Sequence, residues 1–125
     1  MDNKKIILAI DDDLMLLDLL KKILGEKYDV RVVTSASNAL HYLNTNKADC
    51  ILLDIEMPNI SGFDFLSDIK KVPSYMNVPI IIVSGNKGED FYKQARNSSA
   101  EDVLTKPVKK EILIHTIEKA LAAAE

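Results

Sequence analysis

Cys50-Ile51-Leu52-Leu53-Asp54 runs four apolar or thiol residues into one carboxylate, and Ile55-Glu56-Met57-Pro58-Asn59 follows it. A short, continuous apolar run reads as a strand buried on both faces, which is the condition of a parallel sheet covered by helices. Asp54 ends the run. A lone charge in apolar surroundings is costly, so this carboxylate is expected to emerge at the carboxyl end of the strand. In an open parallel sheet, ligands bind just outside those ends.

Similar runs flank this one. Residues 6–10 lead into Asp11-Asp12-Asp13, residues 79–83 into Ser84-Gly85-Asn86, and the very short run 103–105 into Lys106-Pro107. Residues 29–33 are more polar and read as an edge strand. Between the runs, apolar residues recur at helical spacing. Leu16, Leu17, Leu20, Ile23 and Leu24 mark a first helix. Asp12 or Asp13 can cap it, and Gly25 is expected to end it in the left-handed conformation. A second helix starts at Thr34-Ser35, turns Ala36, Ala39, Leu40 and Leu43 inward, and stops at Asn44-Thr45-Asn46. A loop with Pro58 and Gly62 leads to a third, with Phe63, Leu66 and Ile69 as its buried stripe and Pro73 forbidding its continuation. A weak helix follows over residues 89–96, with Phe91 packed and Tyr92 on a partner surface. The last helix carries Leu113, Ile117, Ala120, Leu121 and Ala124 on one face.

Five strands alternating with five helices imply βαβ crossovers and a parallel sheet covered on both sides. At 125 residues the chain is too short for a six-stranded dinucleotide-binding domain with a second domain. A five-stranded α/β sheet in 2-1-3-4-5 order, doubly wound with five helices in the flavodoxin-like manner, fits the length. Residues 1–125 read as one domain, large enough for its own core. The switch point of that order lies between strands one and three, where Asp11, Asp12 and Asp54 converge.

Composition narrows the function classes. With 47% hydrophobic and 28% charged residues, the chain has the profile of an ordinary globular protein. A net charge of −3 argues against direct binding of nucleic acid, which calls for a basic stripe. No segment approaches the ~18–20 apolar residues of a membrane span. The apolar run before Asp11 is too short for a signal peptide, so a cytoplasmic location is expected. Cys50, the sole cysteine, reads as a buried, reduced thiol. His41 and His115 lack metal-ligand company at local spacing and read as surface or packing residues.

Each strand end except the second offers a distinct polar group: Asp11 and Asp12, Asp54, Ser84, and Lys106. Two unit charges ~4 Å apart repel by roughly 4 kcal/mol at an effective dielectric near 20. Three clustered carboxylates therefore need a counter-charge, and a hard divalent cation such as Mg²⁺ suits them. Magnesium among carboxylates points to phosphoryl chemistry. Lys106 and the Ser84 hydroxyl can each meet an anionic oxygen. A carboxylate can act as the nucleophile and form an aspartyl phosphate. Asp54 is the candidate, with Asp11 and Asp12 holding the metal. Asp13 reads as a helix cap, although a one-residue shift would make Asp12 and Asp13 the acidic pair.

Asp11-Asp12, Asp54-Ile55-Glu56-Met57-Pro58 with Gly62, Ser84-Gly85 and Lys106-Pro107, in this order and each after an apolar run, resemble the receiver domain of bacterial response regulators. The resemblance covers the whole chain. It implies that Asp54 is the phosphoacceptor and that Asp11, Asp12, Asp54 and the backbone carbonyl of Glu56 bind Mg²⁺. It also implies that Ser84 is the switch hydroxyl, that Lys106 pairs with a phosphoryl oxygen, and that the Lys106-Pro107 peptide is cis. The expected donor is a phosphohistidine on a sensor histidine kinase or histidine phosphotransfer protein, and the expected recipient is an output protein or domain. Dimerisation after phosphorylation is common in the family. Glu56, Gly85 and Asn86 take the positions that tune phosphoryl lifetime, with slow self-dephosphorylation rather than enzymatic turnover as the expectation.

Two positions depart from the family pattern. Val103 stands three residues before the lysine, where Tyr or Phe is usual, and cannot switch between aromatic rotamers. Ser99-Ala100 replaces the common Gly-Ala. Val103 motivates an alternative: a receiver-like binding or scaffold module that does not switch. A phosphohydrolase of the haloacid dehalogenase type is disfavoured, because Asp11-Asp12-Asp13-Leu14-Met15 lacks that family's Thr. The sequence leaves open whether the receiver stands alone or belongs to a longer regulator.

Overall fold

Alternate residues along each central strand leave for opposite sides of the sheet, and both sets are apolar. This doubles the core. In the computed structural model, residues 3–58 and 61–125 are described. The reading of the loop through Asn59 falls partly outside them. The elements run β1 (Ile6–Ile10), α1 (Leu14–Leu24), β2 (Asp29–Val33), α2 (Ala36–Thr45), β3 (Cys50–Leu53), α3 (Gly62–Lys70), β4 (Ile80–Ser84), α4 (Glu89–Arg96), β5 (Asp102–Thr105) and α5 (Lys110–Ala124). The strands pair in parallel in the order β2-β1-β3-β4-β5. Leu8, Ile10, Ile51, Leu53, Ile80 and Ile82 face α2, α3 and α4. Ile7, Ala9, Cys50, Leu52, Ile81 and Val83 face α1 and α5. β2 is an edge strand, and none of its residues is fully buried.

Local chemistry sets the helix ends. Asp13, not Asp12, caps α1: its carboxylate accepts from the backbone N–H groups of Met15 at 3.0 Å and Leu16 at 3.3 Å. Ser35 and Ser61 cap α2 and α3 in the same way. Tyr75 donates its hydroxyl to the carbonyls of Leu43 and Asn46 at the end of α2. Lys70 reaches the Val78 carbonyl, beside the start of β4.

Four expectations about packing are corrected. Gly25 ends α1 in the right-handed conformation, with φ −64°. A Cβ there would lie 2.6 Å from the Lys21 carbonyl oxygen, so close approach rather than handedness explains the glycine. Leu40 is 46% exposed: it flanks the Ala36–Ala39–Leu43 stripe, and the edge strand offers it no cover. The core of α3 is Phe65, Leu66 and Ile69. Phe63 is half-buried on the flank and meets Phe91 with ring centroids 6.0 Å apart. In α5 the buried set includes Thr116, whose hydroxyl donates to the Ile112 carbonyl, while Ala124 is exposed in the final turn.

Candidate functional site

The site begins where the strand ladders run out. The Asp11 N–H donates to the Val33 carbonyl at 3.2 Å and the Asp54 N–H to the Ile10 carbonyl at 3.0 Å, so pairing continues one residue beyond β1 and β3. The Lys106 N–H donates to the Ser84 carbonyl at 2.9 Å and continues the β4–β5 ladder. Sheet geometry thus brings Asp11, Asp54, Ser84 and Lys106 to one edge without help from long loops.

Oxygens of Asp11, Asp12 and Asp54 all lie within 4.8 Å of one another. Asp12 is exposed, whereas Asp11 and Asp54 are 3% and 5% exposed. Asp54 stands directly after β3, at the carboxyl end of the strand as expected. It is sheltered and partnered there rather than a lone charge in the core. Its Oδ1 accepts the Glu56 N–H at 3.0 Å, and its Oδ2 lies 3.6 Å from Lys106 Nζ. Asp11 Oδ1 accepts the Asp13 N–H at 2.9 Å, and its Oδ2 lies 2.9 Å from Lys106 Nζ.

Burial pushes the Asp54 carboxyl above the usual carboxylate range, and the charges of Asp11 and Asp12 push the same way. The Glu56 N–H and the Lys106 ammonium oppose this without cancelling it. For Lys106, burial favours the neutral amine, but its hydrogen bond to Asp11 and the charges of Asp11 and Asp54 outweigh burial and raise its pKa. One ammonium thus offsets part of the negative charge of the cluster. The remaining donors, three carboxylate groups on short side chains, match the chemistry of a hard, oxygen-seeking cation.

Ser84 is fully buried at the end of β4. Its hydroxyl donates to Glu56 Oε1 at 3.0 Å and accepts the Asn86 N–H at 3.1 Å. The Asn86 side-chain amide approaches Glu56 Oε2 at 3.5 Å. Glu56 therefore links two strand ends: its backbone holds Asp54 and its carboxylate holds Ser84. The sequence gives no sign of this side-chain bond, because residues 56 and 84 are 28 positions apart. Gly85 is exposed, and a Cβ there would meet nothing within 4 Å. At Gly62, by contrast, a Cβ would fall 2.6 Å from the Ile55 backbone, so this glycine lets α3 close on the loop after Asp54.

The Lys106-Pro107 peptide is cis. Val103 is half-buried against the α4-side core. Above it, the hydroxyls of Tyr92 and Thr105 share a hydrogen bond of 2.9 Å, a pair that sequence reading misses. The signal was a tyrosine on a polar helix and a threonine at a strand end, and nothing in their spacing links them.

Residues 7–118 match the family model described as the response regulator receiver domain. The chain is 37% identical over 125 residues to the 3',5'-cyclic-nucleotide phosphodiesterase regA of Dictyostelium discoideum, covering 94% of this chain and 15% of that protein. It is 32% identical over 124 residues to the response regulator protein TodT of Pseudomonas putida, covering 98% of this chain and 54% of that one. It thus spans about half or less of the length of these relatives. Among solved structures, a CheY-like response regulator receiver domain protein from Methanospirillum hungatei superposes with a TM-score of 0.88 at 28% identity, covering 98% of this chain and 97% of that one. With the 2-1-3-4-5 parallel sheet and the acidic cluster at its carboxyl edge, these matches establish that the chain belongs to the response regulator receiver domain family of two-component signalling.

Proposed function

We propose that this chain is a phosphorylation-switched module in which Asp54 accepts a phosphoryl group from a phosphohistidine. The observation that carries this reading is the carboxylate cluster of Asp11, Asp12 and Asp54, with Lys106 against its two sheltered members, Asp11 and Asp54. Asp11, Asp12, Asp54 and the Glu56 carbonyl would hold Mg²⁺, which when bound neutralises carboxylate and phosphoryl oxygens. Asp54 Oδ2 is the nucleophilic oxygen, because Oδ1 is already tied to the Glu56 N–H. A lone pair of Oδ2 forms the new O–P bond as the P–N bond of the donor breaks, and its electron pair returns to the imidazole. Lys106 then exchanges its carboxylate partners for a phosphoryl oxygen, and Ser84 turns its hydroxyl from Glu56 to another. Slow hydrolysis of the acyl phosphate returns the module to rest, with Glu56, Gly85 and Asn86 framing the path of water.

The donor is a sensor histidine kinase or histidine phosphotransfer protein. Beside the cluster, Leu14 is 67% and Met15 84% exposed. Met15, Leu16 and Leu19 line a groove with Lys106, Pro107 and Val108. Contiguous exposed apolar surface marks a docking site, and this one lies where a donor imidazole must enter. The downstream partner is an output protein or domain, with phosphorylation-linked dimerisation as one form of output. Residues 1–125 act as a single receiver unit in the cytoplasm, and among the described residues no helix is long and apolar enough to cross a membrane. Val103 supports one competing reading, a scaffold that binds its partner regardless of phosphate.

The test is chemical. Incubation with Mg²⁺ and radiolabelled acetyl phosphate should label the protein, and hydroxylamine should release the label while leaving a hydroxamate at residue 54. Label that resists hydroxylamine, or a hydroxamate elsewhere, contradicts Asp54 as acceptor. Partner affinity unchanged by labelling favours the scaffold.

A further inference from the structure

The Val103 side chain has no polar atom, and its branched Cβ restricts it largely to one rotamer. If Ser84 moves on phosphorylation, something other than residue 103 must pass that movement to the surface. The register of the sheet points to what does. Ser84 pairs with Thr105, and Ile82 with Val103. Side chains alternate along a strand with a period of two. Ile80 and Ile82 face the α4 side, so Ser84 faces it too, and its partner Thr105 shares that face. Neighbouring strands lie about 4.8 Å apart, which puts the Ser84 and Thr105 side chains at adjacent positions on that face.

Thr105 is bonded to Tyr92, the fourth residue of α4. That helix is held loosely. It has eight residues, its N-terminal Gly88 supplies no side-chain cap, and only Phe91 and Ala95 are fully buried. Helices this short depend on tertiary contacts for their stability. Its contacts include the core packing of Phe91 and Ala95, Phe91 on Phe63, the edge-on pairing of Phe91 with Tyr92 at 5.6 Å, and the Tyr92–Thr105 hydrogen bond. Among the described residues, the last is the side-chain hydrogen bond from α4 to β5.

We infer that the Tyr92–Thr105 hydrogen bond is the latch through which the position of the Ser84 hydroxyl sets the position of α4. At rest, Ser84 is held by Glu56 and Asn86, and Thr105 engages Tyr92. When Ser84 turns toward the phosphoryl group, it leaves space and an altered polar surface beside Thr105. Thr105 can then rotate, its bond to Tyr92 is lost, and the tyrosine and its helix are free to move. The inference rests on Asp54 being the phosphoacceptor, and it names residues of this chain that carry the signal onward.

Amide NMR spectra test it, using beryllofluoride with Mg²⁺ as the phosphoryl mimic on the wild type, Tyr92→Phe, Thr105→Val and the double variant. Tyr92→Phe removes one oxygen and keeps the ring packing. In the wild type, beryllofluoride should move the amides of residues 89–96 together with those of Asp54 and Ser84. Without the mimic, each single variant should already show the α4 amides displaced toward their activated positions. The double variant should go no further than either single one, as coupled residues require. Wild-type-like α4 behaviour in Tyr92→Phe, while the Asp54 and Ser84 amides still respond, would overturn the latch alone. Additive displacements in the double variant would also overturn it. No response at Asp54 or Ser84 in the wild type would overturn the phosphoacceptor reading and the latch with it.

Discussion

Single residues at this site do two things at once. Glu56 holds Asp54 through its N–H and Ser84 through its carboxylate, and that carboxylate adds negative charge where the proposed function brings an anionic phosphoryl group. Glu56→Gln keeps an acceptor for Ser84 and removes the charge. Phosphorylation by acetyl phosphate should speed up about fivefold, the factor that ~1 kcal/mol of relieved repulsion gives. A stopped-flow or mass-based time course measures it, and an unchanged rate would separate Glu56 from the transfer step. Cys50 is governed by burial in the opposite sense. Its thiol is pushed up to about 12, chiefly by desolvation, so it stays protonated and screened. Titration with an aromatic disulfide at pH 8 should find no reactive thiol in the folded protein and one per chain in denaturant. Asp11, Asp12, Asp54, Ser84 and Lys106 were legible as a set because each ends an apolar run, and strand ends are visible in sequence. The bonds of Glu56 to Ser84 and of Tyr92 to Thr105 were not, since they join side chains that only the folded register brings together.

At the scale of elements, the strands read more faithfully than the helix faces. A buried parallel strand announces itself as a solid apolar run, and β1, β3 and β4 do so. Helix faces depend on which neighbour is present to cover them. Leu40 had the right spacing but met an edge strand, and Phe63 gave way to Phe65 because α3 turns its flank toward α4. Gly62 shows how an element boundary supports the site. The missing Cβ lets α3 start against the backbone of Ile55, one residue after Asp54. Gly62→Ala should overpack this junction and cost about 1–3 kcal/mol, visible as a lower midpoint in urea unfolding. A variant as stable as the wild type would mean that the loop yields freely and does not fix Asp54.

For the whole molecule, the order 2-1-3-4-5 followed from chain length and from strict alternation of strands and helices, and the parallel sheet has that order. The order puts β1 beside β3, and so puts the acidic pair beside Asp54. What the sequence could not convey was the burial of the charges. The ammonium of Lys106 was legible because it follows the last strand, whereas the Glu56 N–H that holds Asp54 Oδ1 depends on the turn after β3. Those partners make a sheltered carboxylate tolerable, and on the proposed function it is this carboxylate that accepts the phosphoryl group. The acceptor role of Asp54 is read from intact mass after exposure to acetyl phosphate, on the wild type with Mg²⁺, on the wild type with chelator, and on Asp54→Asn with Mg²⁺. One phosphoryl adduct is expected in the first sample and none in the other two. An adduct that persists in Asp54→Asn, or that forms equally well with chelator, would contradict it.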